Sequence, residues 1–384
     1  MNEFLKKVEI AFRHAVVYPF FRLVLNNPAV EIPLPLDRIK KLLILRADGI
    51  GDMLVSTPMF RLLKQANPNL RLAVFASERN AAVIRCNPYV DRVYLRSGNP
   101  WKLFTEILHA RKEGYDVVIN FVFNRTTSEG LLANIVAPRG VKIGQGLEKY
   151  RIYFNRLLSL QRSTTHMVQV LATMTDTVFG TSFATQDLHL EVFVDDESKN
   201  VVDGFLGNHK LCRRGQAPGK GQTYIVLNFS AVDRVRRMSP AQVVQVVRWI
   251  CKTRRERPVI IYPPNEQETL GQILAELKAG DTLVFPETGT ATLLQLASLI
   301  EGAVTTITCD TSIVHFSSAS NTPVFVLFTP TAAKNHEWTP FGVRYRALYA
   351  KLGDGVSSIP MESIKNELAA FLAEESSEIR PGVS

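Results

Sequence analysis

The chain reads as an α/β protein made of two Rossmann-like halves facing each other across a cleft, and three observations lead there. Short, continuous apolar runs alternate with helical stretches from residue 41 to 121. The same alternation restarts at residue 224 and runs to 328. Between them lies a Gly-, Lys- and Arg-rich segment, residues 207–222 (GNHKLCRRGQAPGKGQ), with no periodicity. Apolar strands alternating with helices imply parallel sheets covered on both faces. The 384 residues suit two medium domains plus extensions.

Taken in order, residues 42–45 are an apolar run and hence a strand. A helix from about Asp52 ends at the Asn67-Pro68 breaker. Residues 72–75 and 90–95 are the next strands, then a helix starts at Trp101 and a strand spans 117–121. Residues 145–200 hold helical stretches without clear strand alternation, and a boundary falls within 190–222. The second half offers strands at 224–228, 259–262, 282–285, 303–307 and 324–328. Helices fall at 240–251, 266–277 and 292–300, with a short one between the last two strands. A terminal helix spans 360–374, its proline at the first turn. The expected division is an extension at 1–37, an acceptor domain at 38–200 and a donor domain at 201–384.

Hydrophobic residues make up 46% and charged residues 21% of the chain, as in a soluble globular enzyme. That excludes a disordered chain, a collagen and a multi-span membrane protein. Net charge is +9, and residues 201–260 alone carry 12 Lys/Arg against 3 Asp/Glu. Such a local surplus favours an anionic ligand, or else is a solvated basic surface. Cys86, Cys212, Cys251 and Cys309 lie far apart with no C-x-x-C pair, which fits reduced thiols of a cytosolic protein rather than a zinc ribbon.

Residues 1–25 form a basic amphipathic stretch followed by a Pro-broken apolar patch. Glu9, Arg13, Pro19 and Arg22 interrupt it too often for a spanning helix, and no small-residue cleavage site follows. It either touches an anionic membrane surface or docks on the protein itself.

Four segments carry chemistry. Asp48, Gly49, Gly51 and Asp52 end the first strand, on the acceptor side. The glycines let backbone approach a ligand closely. Leu54 stands where a dinucleotide fingerprint needs its third glycine, and there is no Walker lysine. Asp52 can cap the helix that follows or take a proton from a hydroxyl as general base. In the second half, Asp310, Thr311, Ser312 and His315 open a helix, where hydroxyls and backbone N–H groups suit an anion. His315 is a ligand of that site or a buried core histidine. Ser230 leads into Arg234, Arg236 and Arg237, whose forks match phosphate oxygens, or form a surface charge run. Glu266, after Pro263-Pro264-Asn265, can accept from ribose hydroxyls or cap a helix. No D-x-D metal pair stands near the donor side, so no metal or other cofactor is expected.

At these residues the sequence resembles glycosyltransferase family 9, the lipopolysaccharide heptosyltransferases. The family's R-x-D-x-I-G-D-x-x-x-S-T-P is matched by Arg46-Ala47-Asp48-Gly49-Ile50-Gly51-Asp52 through Ser56-Thr57-Pro58. Its D-[ST]-[GS]-x-x-H is matched by Asp310 to His315, and the following G-P-T by Thr329-Pro330-Thr331 after Phe328. Trp338-Thr339-Pro340-Phe341-Gly342 resembles its W-x-P-[YF]-G. The likeness covers about residues 40–350. It implies a GT-B fold and inverting transfer from a nucleotide sugar, typically ADP-heptose, to a lipopolysaccharide inner-core acceptor, an anionic glycolipid. It implies Asp52 as the base. The family's phosphate-binding Lys before W-P is replaced by Arg236 and its Trp by Met238, with Arg237 as the alternative register. The family's G-G-P-x-E is Tyr262-Pro263-Pro264-Asn265-Glu266 here. A cytoplasmic enzyme, peripheral on the inner face of the membrane, would fit.

Two rivals remain at this stage. A nucleotide-sugar epimerase of the same fold would need no acceptor. A non-catalytic nucleotide-sugar or nucleic-acid binding protein would bind without turnover. The Arg cluster permits nucleic acid, but no nucleic-acid module and no interleaved aromatics accompany it, so nucleic acid is not an expected partner.

Overall fold

A computed structural model describes residues 21, 24–123, 126–162, 164–216, 221–330 and 336–378. The expected amphipathic segment at 1–25 lies almost wholly outside the described residues, as does Thr331. Two compact units are present. The described residues through Gln161, with Val168–Leu188, make the first; Arg162–Met167 and the described residues from His189 onward make the second.

The first unit runs β1 (Lys41–Arg46), α1 (Ile50–Leu54), α2 (Thr57–Ala66), β2 (Arg71–Ser77), β3 (Arg92–Arg96), α3 (Pro100–Glu113), β4 (Val117–Asn120), α4 (Thr126–Val136), β5 (Val141–Gln145), β6 (Arg156–Leu158) and α5 (Met167–Phe179). The second follows with α6 (Asp196–Asn208), β7 (Tyr224–Asn228), α7 (Pro240–Thr253), β8 (Arg257–Ile261), α8 (Gln267–Glu276), β9 (Leu283–Phe285), α9 (Leu293–Glu301), β10 (Thr305–Cys309), α10 (Ser312–Ala319), β11 (Val324–Phe328), β12 (Tyr345–Tyr349) and α11 (Met361–Glu378).

Among the described residues each unit holds one six-stranded sheet, ordered β3-β2-β1-β4-β5-β6 and β12-β11-β10-β7-β8-β9. All of the strand pairings are parallel. The central strands are buried on both faces, which is why β1, β7 and β11 read as unbroken apolar runs. Strand order reverses between β1 and β4 and again between β7 and β10. Ligands of open parallel sheets bind at such switch points, beyond the carboxyl ends of the strands.

Local signals set the helix ends. Asn99 caps α3 by accepting from the Trp101 and Lys102 N–H groups, and Gly114 ends that helix at φ 67°. Ser239 with Gln242, and Thr292 with Gln295, form reciprocal capping boxes on α7 and α9. The single helix expected from Asp52 to residue 67 is two, α1 and α2, interrupted at Val55-Ser56.

Three strands escaped the sequence reading. In β5, Lys142 and Gly144 break the apolar run, yet both are structural. Lys142 is buried and donates to the Gly140 carbonyl at 2.9 Å. A Cβ on Gly144 would lie 2.6 Å from the Phe154 ring. Strand β6 has only three residues. Strand β12 is an edge whose Arg346 bonds Glu367 and Glu374 of α11 at 2.9 and 2.5 Å. Among the described residues no helix is long and apolar enough to cross a membrane.

Candidate active site

In the first unit, β1 ends on a charge. The Arg46 side chain is fully buried and acts as a hub. Its Nε donates to the Asp52 carbonyl at 2.8 Å, and Nη1 donates to Asp48 Oδ2 at 3.0 Å. Nη1 also bonds the Phe121 carbonyl just beyond β4, and Nη2 lies 3.3 Å from Asp52 Oδ1. One guanidinium thus ties the two strands at the switch point and holds two carboxylates.

Asp52 is the third residue of α1, and its Oδ2 accepts the Gly49 N–H at 3.2 Å. The side chain that fills the capping role still keeps about a quarter of its surface in solvent. Gly49 is needed for the approach: a Cβ there would lie 2.5 Å from Asp52 Oδ2. Asn80 fastens the loop from the other side, donating to the carbonyls of Arg46 at 2.9 Å and Gly49 at 3.2 Å. Burial pushes the Asp48 carboxyl up to about 7, against the pull of Arg46 and with a push from Asp52. Its Oδ1 is buried without a hydrogen-bond partner among the described residues. Gly51 lies within α1.

In the second unit, Asn228 ends β7 and occupies the equivalent switch point. Its Nδ2 donates to Thr308 Oγ1 on β10 at 2.9 Å and to Thr311 Oγ1 at 3.3 Å. Ser230 Oγ donates to Asn228 Oδ1 at 2.9 Å. Thr311 caps α10, accepting the Ile313 N–H at 3.2 Å. Arg236 Nη1 lies 3.1 Å from Asp310 Oδ2. Burial pushes the Asp310 carboxyl up, and Arg236 opposes that shift. Ser230, Arg236, Asp310, Thr311 and Ser312 thus gather around the start of α10.

Arg237 and Glu266 form a different pair. The Arg237 guanidinium bonds the buried Glu266 carboxylate and the Ala231 carbonyl, the latter at 2.7 Å. Glu266 Oε2 also accepts from Thr269 at 2.9 Å. Both Glu266 oxygens are therefore engaged within the fold. Arg236 is the more exposed arginine, at 44% against 25%.

His315 is buried in α10, with Nδ1 lacking a hydrogen-bond partner among the described residues and its ring against Trp338 at 6.0 Å. Burial lowers its pKa to about 3, helped by His166. It sits in a cluster with the W-T-P-F-G segment rather than beside the arginines. His166 Nε2 contacts the Thr339 carbonyl at 2.9 Å, and its ring packs on Phe341 at 4.6 Å. Glu337 accepts two 3.0 Å bonds from Arg162. Among the described residues no group of His, Cys, Asp and Glu side chains could hold a metal ion.

Asn80, Asn228, Thr308 and His166 were not singled out from sequence, and Arg46 entered only as the first residue of the family motif. Arg46 left a trace, a charge continuing an apolar strand; Asn228 and Thr308 did too, as polar residues in strands otherwise buried. Asn80 and His166 left none, being far in sequence from what they hold.

Two parallel sheets of this order, each with a polar constellation at its switch point, define an α/β fold of the GT-B class of glycosyltransferases. Residues 107–357 match the profile of glycosyltransferase family 9 (heptosyltransferase), and the chain belongs to that family. It is 24% identical over 294 residues to Escherichia coli lipopolysaccharide heptosyltransferase 3, covering 73% of this chain and 80% of the relative. A Haemophilus influenzae protein assigned to the glycosyltransferases is 29% identical over 129 residues, 33% of this chain. That match spans only 36% of the Haemophilus relative's length. Among solved structures, Escherichia coli ADP-heptose lipopolysaccharide heptosyltransferase II superposes with a TM-score of 0.70 at 18% identity, covering 88% of this chain and 99% of that one.

Proposed function

We propose that this glycosyltransferase moves a heptose from ADP-heptose to a lipopolysaccharide inner-core acceptor with inversion, Asp52 serving as general base. The observation that carries the reading is the Arg46 hub, which holds a partly exposed Asp52 carboxylate at the carboxyl edge of the first sheet. Residues 38–200 would serve the acceptor and 201–384 the donor.

In this reading Asp52 takes the proton of an acceptor hydroxyl. The oxygen bonds to the anomeric carbon as the bond from that carbon to the diphosphate oxygen breaks. The diphosphate leaves with the electron pair and gathers negative charge. Arg236 and the amide end of α10 stabilise that charge. Arg236 is the phosphate ligand preferred here, because Arg237 is committed to buried Glu266. Asp310 holds Arg236 in place and would yield it to phosphate. The names of relatives that act with ADP-heptose or on lipopolysaccharide support the choice of donor and acceptor. A cytoplasmic location at the inner membrane face goes with that acceptor.

The test is ADP release from ADP-heptose by purified protein, with and without deacylated inner-core acceptor, for wild type and Asp52→Asn. Acceptor-dependent release that falls about 10²–10⁴-fold in the variant supports both reaction and base. Release without acceptor, or an unimpaired variant, refutes the reading.

A further inference from the structure

Helix α3 has two faces, and among the described residues only one of them packs on the core. Leu103, Ile107 and Ala110 pack inward on the core of the first unit. On the outward face Trp101 is 78% exposed, Phe104 52% and Leu108 38%. At 100° per residue these three lie within about 60° of one another, a single apolar stripe. Ile135 of the adjacent α4 is also exposed, and its carbonyl accepts from Arg111 at 2.7 Å.

The charges within about 20° of the stripe are of one sign. Arg111 and Lys112 are exposed on its two flanks, while Lys102 and His109 lie about 80–100° from Trp101. The helix's acids turn the other way, about 120–140° from Trp101. Glu106 accepts from the Leu95 N–H at 3.4 Å, and Glu113 pairs with Lys41 at 3.0 Å. Glu78, exposed beside the start of the helix, accepts from Ser97 Oγ at 2.7 Å and faces Lys102.

The stripe also stands close to the reactive edge of its own unit. Ser77 Oγ donates to the Asp48 carbonyl at 3.3 Å, Glu78 bonds Ser97, and Ser97 Oγ accepts the Asn99 N–H at 3.1 Å. Asn99 then caps α3. Three hydrogen bonds, with the Ser77-Glu78 peptide between them, therefore join the Asp48–Asp52 loop to Asn99, the residue before Pro100-Trp101.

We propose that the outward face of α3 docks on the surface of an anionic lipid bilayer, with Trp101, Phe104 and Leu108 entering the headgroup boundary and Arg111 and Lys112 meeting acidic headgroups. An aromatic and aliphatic stripe in a basic rim has the chemistry of an interfacial helix. The inference rests on the proposed reading only for its purpose, to bring the reactive edge of the first unit to an acceptor carried in a membrane.

The test uses the full chain and vesicles of phosphatidylcholine alone or with 30 mol% phosphatidylglycerol. Wild type should co-sediment with the anionic vesicles, bind less as salt rises, and show blue-shifted tryptophan emission. Trp101→Ser with Phe104→Ser should lower the partition coefficient at least tenfold, and Arg111→Glu with Lys112→Glu should do likewise. Melting temperature and turnover of water-soluble deacylated acceptor should stay at wild-type levels, because neither pair touches the core or the site. Vesicle binding by the first variant equal to wild type, or no binding by wild type, would overturn the proposal. So would a dimer that Phe104→Ser dissociates, since a second copy would then be the occupant. If wild type binds anionic vesicles but turns over no soluble acceptor, the transferase reading fails while the docking surface stands.

Discussion

Replacing Arg46 by Met would remove a fully buried guanidinium while keeping the apolar stem of the side chain. It strands the Asp48 carboxyl, the Asp52 carboxylate and the carbonyls of Asp52 and Phe121, all now served by one group. Removing one partner of a buried pair costs about 3–5 kcal/mol. For a unit of this size each kcal/mol moves the melting temperature by roughly 2–4 °C, so the expected drop is roughly 6–20 °C. Asp48 supplies an internal check. Its carboxyl already titrates near 7 because burial outweighs Arg46, and without Arg46 it holds its proton more tightly. A carboxyl raised in the folded state contributes its full stability below the unfolded value near 4 and loses it as pH rises through the folded value. The deficit of Arg46→Met should therefore be smaller at pH 5 than at pH 8. Asp48→Asn in the same chain should recover about 1–3 kcal/mol of it. Scanning fluorimetry of the four proteins at both pH values reads all of this. A single variant melting within 2 °C of wild type, or a strictly additive double variant, would refute Arg46 as the hub.

Gly49→Ala should push the Asp52 carboxylate off the Gly49 N–H, lowering kcat about 10–100-fold with little change in melting temperature. Arg236→Ala should lower kcat/KM for the donor about tenfold to a hundredfold at near-constant stability, because its side chain is partly exposed. Arg237→Ala should instead cost about 3 kcal/mol of stability by stranding buried Glu266, as urea unfolding would show. His315 and His166 are held neutral, with values lowered to about 3 and about 4 by burial. They therefore favour the native state above pH 6.5, and that contribution is lost as pH falls toward those values. Between pH 6.5 and 4.5 the loss is about 1.4 kcal/mol per unit for each ring, and His315→Leu should remove its share of the slope.

The alternation of strand and helix was legible wherever burial on two faces forced continuous apolar sequence, as in β1, β7 and β11. It failed where a strand answers to its neighbours instead. Lys142 reads as a surface residue until the Gly140 carbonyl it bonds is seen, and Gly144 reads as a breaker until the Phe154 ring covers it. Strand β12 alternates like a loop because only one of its edges is paired, and its arginine belongs to α11.

Candidate residues were legible as chemical types and not as partners. Sequence placed Arg236 and Arg237 side by side with equal claims on phosphate. What separates them lies at residues 266 and 310, which the chain brings back only after one and three further strands. Glu266 is buried and takes Arg237 into the fold, whereas Asp310 is itself pushed toward the neutral form by burial and holds an exposed Arg236. The more exposed arginine, held by the acid that burial pushes toward its neutral form, is the easier one to free, which is why the proposed reading assigns the diphosphate to Arg236. The same logic runs through the first unit, where Asp48 is driven toward its neutral form beside a guanidinium it shares with Asp52. In each unit, then, burial pushes one carboxyl toward its neutral form beside an arginine, Asp48 beside Arg46 and Asp310 beside Arg236, and the arginine opposes that push.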